Sequence, residues 1–205
     1  MKNDIIQALQ WRFAARAFDT SKKVSEEDLS AILESGRFAP SSFGLEPWKF
    51  LVVNNPEVRA SLRAAGYDQA KITDASHLIV IAVRTDADHL PDELVARTAA
   101  AQGKQPEDLQ GLKDMASGAI ARRSSATAAW LSAQTYIPLG VMVETASLLG
   151  VDNAPMEGFD VAKVNEILGL DAKNLSAVTM LALGYRAEEP WPKARRQSSD
   201  VIEII

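Results

Sequence analysis

The chain has 205 residues, 47% hydrophobic and 24% charged, a globular composition too apolar for disorder, and at this length a chain buries roughly 70% of its unfolded surface without a metal or disulfide staple. It contains no cysteine, which excludes a disulfide framework, a thiolate metal site and a cysteine nucleophile, and its two histidines, His77 and His89, are too few for a zinc centre of the usual kind, so no metal is expected. A net charge of −5 argues against a general nucleic-acid-binding face, because phosphate neutralisation needs a basic surface.

At the N-terminus Asp4 and Gln7 interrupt the apolar residues, so no secretory leader is visible and a cytoplasmic chain is expected. Ile5, Ile6, Leu9 and Phe13 recur at near-helical spacing, which gives a short amphipathic helix from 4 to about 12. Ser25 supplies a capping hydroxyl for a second helix, Glu27 and Asp28 face its positive end, and Leu29, Ile32 and Leu33 form its apolar face. That helix ends between Gly36 and Pro40, where Pro40-Ser41-Ser42-Phe43-Gly44 is a loop by composition. Trp48 to Val53 reads as a strand and Glu57 to Ala65 as a helix. The continuous apolar run Leu78 to Val83 reads as a strand buried on both faces.

From Thr85 to about Ser124 the chain is polar, an exposed helical excursion of the kind that serves as a lid or specificity segment. Ala126 to Val143 carries no charge over a length that could cross a bilayer, about 18 residues or more. Its Ala, Ser and Thr content, with Gln134, Pro138 and the following Glu144, rejects a membrane span and points to a helix over 126 to 150, buried within protein and ended by Gly150. Val161 to Leu168 is a short helix, Ala177 to Leu183 a strand closed by Gly184, and Val201 to Ile205 a terminal apolar strand. That last segment returns to its own sheet or pairs with the edge of a neighbouring subunit. About four strands interleave with about five or more helices in one domain, an α/β or α+β protein.

No dinucleotide glycine fingerprint, Walker loop, nucleophile elbow or zinc-protease motif occurs. Basic residues do stand at the ends of elements: Arg12 and Arg16, Lys71, and Lys193, Arg195 and Arg196 in the tail. Taken singly each is a solvated surface charge. Taken together in an acidic chain they are candidates for one anionic ligand, with arginine suited to phosphate and lysine supplying a point charge. Pro40 to Trp48 and Pro155 to Asp160 are rigid, glycine-containing segments that either turn the chain or present backbone N–H groups to a flat ring. His77 precedes a buried strand and reads as structural, held by backbone, and His89 reads as solvated.

The ordered series Arg12-x-x-x-Arg16-x-Phe18, Ala39-Pro40-Ser41-Ser42 through Glu46-Pro47-Trp48, Gln69-Ala70-Lys71 before Asp74-Ala75-Ser76-His77, Pro155-Met156-Glu157-Gly158-Phe159 and Pro192-Lys193-x-Arg195 resembles the FMN-dependent nitroreductase family, in its oxygen-insensitive NAD(P)H nitroreductase and dihydropteridine reductase branch. The resemblance runs over nearly the whole chain and is weakest across 85 to 125. It implies an α+β fold with a central mixed, mainly antiparallel sheet flanked by helices. The C-terminal strand would be exchanged onto the partner's sheet by a tail at about 190–205.

It further implies that Arg12, Lys193 and Arg195 hold the FMN phosphate, with Phe13 and Ala14 beside them. Ala14 stands where the family often has serine, and Phe13 replaces a commonly polar neighbour. Arg16 and Lys71 would face the pyrimidine edge of the flavin, and Asp68 or Gln69 would contact the ring or ribityl chain. Pro155, Met156, Glu157 and Gly158 would line the ring, the backbone of the last two meeting N5 and O4. Pro40, Ser41 and Ser42 would come from the other subunit of a homodimer, and Phe43 and Leu45 would meet the substrate. The implied reaction is a two-step hydride transfer from NAD(P)H through flavin N5 to a nitroaromatic, quinone or similar small electron-poor ring, with no side-chain catalyst, no nucleic acid and no membrane. Enone reduction, dehalogenation, an oxidase reaction or a non-catalytic flavin-binding module are the alternatives.

Overall fold

A computed structural model describes residues 2–205. Among them are four strands, β1 (Trp48–Val52), β2 (His77–Arg84), β3 (Asp152–Met156) and β4 (Leu175–Gly184), paired antiparallel in the order β1-β2-β4-β3. The helices are α1 (Lys2–Trp11), α2 (Glu26–Arg37), α3 (Pro56–Ala65), α4 (Lys71–Asp74), α5 (Leu90–Gln102), α6 (Gln110–Ala121), α7 (Thr127–Gln134), α8 (Tyr136–Leu148) and α9 (Val161–Leu168). The fold is α+β, and the parallel component expected of the sheet is one isolated bridge, Ala14 to Asn153.

A strand with no polar face must be covered on both sides. Leu78, Val80 and Ala82 of β2 pack with Leu62 of α3, Ile72 of α4 and Val164 of α9, whereas Ile79 and Ile81 pack on the opposite face with Ile32 of α2 and Met142 of α8. A third cluster, Leu45, Val83, Leu90, Leu94, Ala116, Ile120 and Leu131, closes one end of the sheet. The segment 85–124 is therefore not merely exposed: α5 and α6 each bury an apolar face there. Arg84 ties the excursion to β2 by gripping Asp86 at 2.7 Å and Glu93 at 2.8 Å.

Local chemistry sets several boundaries where the sequence places them. The Ser25 hydroxyl accepts from the Asp28 N–H at 3.0 Å and starts α2. Gly150, with φ of 71°, ends α8 as the Val151 N–H turns back to the Ala146 carbonyl at 2.8 Å.

Several expectations are corrected. The single helix expected over 126–150 is broken at Thr135, because Pro138 has no N–H to give to the carbonyl of Gln134 and falls in the first turn of a new helix, where no donor is needed. One face of α8 is not buried within this chain: Tyr136, Ile137 and Leu148 are exposed, as is Leu149 just beyond it. Val201 to Ile205 forms no strand within its own chain and lies exposed, while the fourth strand is β3, whose last two residues, Pro155 and Met156, open the segment read as a rigid turn. His77 is structural, but its partner is the Ser76 hydroxyl, 3.1 Å from Nδ1, rather than backbone. Among the described residues no helix is long and apolar enough to cross a membrane.

Gly184 closes β4 where a Cβ would stand 2.7 Å from Phe18 Cδ1 and 3.2 Å from the Ser76 backbone nitrogen. Gly184→Ala is expected to lower stability by about 1–3 kcal/mol, read as a lower urea midpoint at unchanged slope. An unchanged midpoint would show that Phe18 and the turn before β2 yield without cost.

Candidate functional site

The edge strand β3 receives the segment after α1 along its outer side. The Ala15 N–H reaches the Asn153 carbonyl at 3.4 Å, the Asp19 N–H donates to the Tyr185 carbonyl at 2.8 Å, and the Ala187 N–H donates to the Ala17 carbonyl at 3.0 Å. The Glu188 carboxylate accepts from the N–H groups of Arg16 and Ala17 at 2.6 and 3.2 Å. Arg186 pairs with Asp152 at 2.5 Å and lies 4.4 Å from the centre of the Trp11 ring. Residues 12–18, 152–158 and 185–195 are thereby drawn together from three distant parts of the sequence.

Arg12, Phe13, Ala14 and the run Trp191–Arg195 line a cavity of about 440 Å³. The Lys193 ammonium donates to the carbonyls of Gln10 and Arg12, which fixes the tail against the end of α1. Burial, and then the neighbouring Arg195, lowers the pKa of the Arg12 guanidinium. Lys193 is lowered by burial and then by Arg12, Arg195 and Arg186. Among the described residues neither Arg12 nor Arg195 has a carboxylate within ion-pair distance. Three like charges around one cavity repel, and an anion there relieves them. The Phe13 ring is buried and stands edge-on against Trp191 at 5.2 Å.

Arg16 stacks 3.9 Å over Trp191 and carries the cluster toward a second group. Burial, and then Arg16, lowers the pKa of Lys71, so these two cations lie within electrostatic reach. Gln69 donates to the carbonyl of Gly158 at 2.7 Å and to that of Gly66 at 2.9 Å, whereas Asp68 is held by Arg63 at 2.6 Å. Of the two adjacent candidates, Gln69 is the one joined to the Glu157–Gly158 turn. The buried Arg59 holds α4, and with it Lys71, by donating to the carbonyls of Ile72, Ala75 and Ser76 at 2.8, 2.6 and 3.3 Å. A Cβ on Gly158 would meet nothing closer than Gln69 Nε2 at 3.6 Å, so the chain's own packing does not demand glycine there. Pro155 and Met156 belong to β3; Met156 is buried in the core, and both border a cavity of about 340 Å³ with Tyr136, Glu157 and Thr179. Burial, followed by the neighbouring Glu157 carboxylate, raises the pKa of the Tyr136 hydroxyl.

The loop carrying Pro40, Ser41 and Ser42 lies elsewhere. The Ser42 N–H donates to Gln134 Oε1 at 2.8 Å, the Ser41 hydroxyl accepts from the Glu46 N–H at 2.8 Å, and Arg97 donates to the Gly44 carbonyl. Phe43 packs on the third cluster and Leu45, 1% exposed, is inside it, so the Leu45 side chain is closed to a substrate within this chain. Among the described residues no hydrogen bond or ion pair joins this loop to the Arg12–Arg195 or Gln69–Gly158 groups. A further cavity of about 650 Å³ lies between the sheet end and the 120–132 region and is bordered by none of the expected residues.

A model of the Nitroreductase family matches residues 9–185. A protein of Staphylococcus epidermidis, provisionally named an NAD(P)H nitroreductase, is 38% identical over 216 residues, covering 100% of this chain and 98% of its own. The chain belongs to the nitroreductase family. The fold agrees: a provisionally assigned nitroreductase of Bacillus subtilis superimposes with a TM-score of 0.89 at 19% identity, over 100% of both chains. One from Exiguobacterium sibiricum, solved in complex with FMN, gives 0.80 at 24% identity, over 99% of this chain and 96% of that one.

The donor set of this nitroreductase fits FMN. The carboxylate-free cluster at Arg12, Lys193 and Arg195 suits a phosphate, Arg16 and Lys71 suit an electron-rich ring edge, and the exposed Glu157–Gly158 turn leaves its backbone open to a flat ligand. Sequence reasoning missed Asp152, Arg186, Arg59, Tyr136 and Trp191. Only Trp191 had a local signal, an indole two residues before Lys193; the others act through partners far along the chain. Gln69→Met should raise amide exchange across Glu157–Phe159 about tenfold, since it removes the tie to Gly158. Unchanged protection would mean that the turn is held by other contacts.

Proposed function

We propose that this nitroreductase is an FMN-dependent oxidoreductase that takes electrons from NAD(P)H and reduces nitroaromatics, quinones or similar electron-poor rings in two separate steps. The supporting observation is the cation-lined cavity at Arg12, Lys193 and Arg195, without a counter-carboxylate, joined through Arg16 to Lys71, Gln69 and the Glu157–Gly158 turn. When bound, FMN supplies the two-electron carrier between donor and acceptor.

Arg12, Lys193 and Arg195 hold the phosphate, and the backbone of Phe13 and Ala14 forms the wall beside it. Arg16 and Lys71 set positive charge at the pyrimidine edge, where it favours the electron-rich form of the ring. Gln69 fixes the Glu157–Gly158 backbone that orients the ring, and Asp68 acts one step away by holding Arg63. Pro155 and Met156 anchor that turn in β3.

A second copy of the chain completes the site in this reading, contributing Pro40, Ser41 and Ser42, with Phe43 shaping the space for the acceptor and Leu45 supporting it from the core. Exposed apolar side chains favour such a homodimer: Ile6 and Leu9 on α1, Ile137 and Leu148 on α8, and Ile202 and Ile204 in the tail. The tail would add a strand to the outer edge of the partner's β1, which has no strand beside it among the described residues. A cytoplasmic location belongs to the same reading and accords with a chain free of cysteine.

The test is the visible absorption spectrum of the purified protein before and after anaerobic NADH, then NADPH. A flavin spectrum that bleaches supports the reading and identifies the donor; a colourless protein that FMN cannot reconstitute overturns it. Arg195→Ala should weaken FMN about tenfold, one charge-assisted hydrogen bond discounted for solvent screening. The flavin-free variant should be no less stable than its parent, because Arg195 adds only like charge to Arg12 and Lys193. Unchanged FMN affinity would remove Arg195 from the phosphate site.

A further inference from the structure

The cavity of about 650 Å³ opens where the end of β2 and the start of β4 meet the turn between α6 and α7. No residue of α1, α8, the Pro40–Leu45 loop or the tail borders it, so it lies apart from the cation-lined site and from the surfaces assigned to the dimer. Its size is that of a small-molecule site. The turn that holds it open is built into the backbone. Ser124 takes φ of 46°, a left-handed conformation that separates α6 from α7. Three bonds fix the turn: the Ala126 N–H donates to the Arg123 carbonyl at 2.8 Å, the Thr127 hydroxyl to the Ile120 carbonyl at 3.2 Å, and the Arg123 guanidinium to the Ala119 carbonyl at 2.6 Å. The same guanidinium lies 3.8 Å over the Trp130 ring, which ties the turn to α7.

The lining divides into an apolar wall and a hydroxyl rim. Val83, Ile120 and Leu131 belong to the cluster that encloses Leu45, and Ala87 and Val178 pack against it. Thr85, Ser124, Ser125 and Ser132 also border the space, and among the described residues their hydroxyls have no partner within the protein. Each can donate one hydrogen bond and accept others. Charge narrows the choice of ligand further. Arg84 is the one cation among the described bordering residues, and its nitrogens are engaged: Nε and Nη2 reach Asp86 at 2.7 Å, and Nη1 and Nη2 reach Glu93 at 3.0 and 2.8 Å. Asp88 stands exposed at the rim without an ion-pair partner among the described residues. No free cation therefore receives an anion, and Asp88 repels one. A full cation gains little from so exposed a carboxylate. An uncharged apolar molecule with an O–H to donate satisfies both the wall and the rim.

We propose that this cavity is a second small-molecule site, for an uncharged two-ring phenol whose rings lie on the apolar wall and whose hydroxyl bonds Asp88 and the rim hydroxyls. A phenol keeps its proton at neutral pH and so meets the charge requirement. The inference goes beyond the flavin reading and does not depend on it: the site is occupied with FMN present or absent.

The test is a fluorine NMR titration of 6-fluoro-2-naphthol with the purified full chain, with and without added FMN. Saturable binding, unaffected by FMN, is expected. The corresponding anion, 6-fluoro-2-naphthoate, is expected to bind about tenfold more weakly or less. Ala128→Leu and Ser132→Leu place extra methyl groups in the cavity, and each should weaken the naphthol about tenfold. A cooperative urea transition shows that each variant is folded. Four results overturn the site: no saturable binding of the naphthol by the parent chain, equal affinity for the naphthoate, displacement of the naphthol by FMN, or unchanged affinity in either folded variant. Displacement by FMN would place the ring in the flavin site instead, which leaves the flavin reading standing while this one fails.

Discussion

Arg186 lays its guanidinium 2.5 Å from the Asp152 carboxylate where the two side chains keep 14% and 5% exposure, and its own backbone N–H donates to the same carboxylate at 2.9 Å. Breaking such a pair by removing one partner costs on the order of 3–5 kcal/mol, because the other charge is left without water or counter-ion. The consequence is spatial. Asp152 opens β3, which runs into the Glu157–Gly158 turn; Arg186 opens the tail that carries Lys193 and Arg195. The guanidinium also lies on Trp11, the last residue of α1, immediately before Arg12. One ion pair therefore sets the relative position of three segments that nothing in their local sequence brings together.

Two loops of the chain carry strained backbone. Phe43, Glu46, Tyr67 and Asp68 all have positive φ without being glycine, and they lie in the two loops that carry Pro40–Ser42 and Gln69–Lys71. Left-handed backbone at such residues costs roughly 1–3 kcal/mol each and persists only where the surroundings over-determine it. Here the surroundings can be named: Arg63 on Asp68, Arg59 on the carbonyls at the end of α4, Gln134 on Ser42 and Arg97 on Gly44. The mutual repulsion of Arg12, Lys193 and Arg195 adds a further unfavourable term at the cation-lined cavity. The sheet, with β2 buried on both faces, supplies the stability that tolerates both.

Much of this was legible in the amino-acid sequence, and the failures share one physical origin. Helices α2, α3 and α9 and strands β1, β2 and β4 carry their own signals, among them the Ser25 cap and the β-branched run of β2. The segment Asp152-Asn-Ala-Pro-Met156 has poor strand propensity, yet it is a strand because β4 offers an edge and because Pro155 can sit on the outermost strand of a sheet. Val201-Ile-Glu-Ile-Ile205 has excellent propensity, yet it forms no strand because it pairs with no edge of its own chain. Strand formation depends on the partner more than on the segment. The same holds at the site: Arg12, Lys71, Gln69 and Arg195 could be picked out as chemically apt, but Asp152, Arg186 and Arg59, which place them, have meaning only through contacts made across the fold.

In the proposed dimer the incompleteness of the single chain becomes a source of coupling. The loop at Pro40–Leu45 is anchored to α5 and α7, away from the cations of its own chain, and α1, α8 and the tail present apolar side chains to solvent. If the partner's loop closes over the ring edge, a flavin touches both chains at once, and ligand binding and chain association draw on the same contacts. By linkage, whatever free energy the flavin gains from the second chain it returns to the dimer, so each tightens the other by an equal factor. Such coupling removes the need for a rigid, fully formed pocket in the monomer. It also explains why a chain with strained loops and unbalanced positive charge need not be strained once both partners are in place.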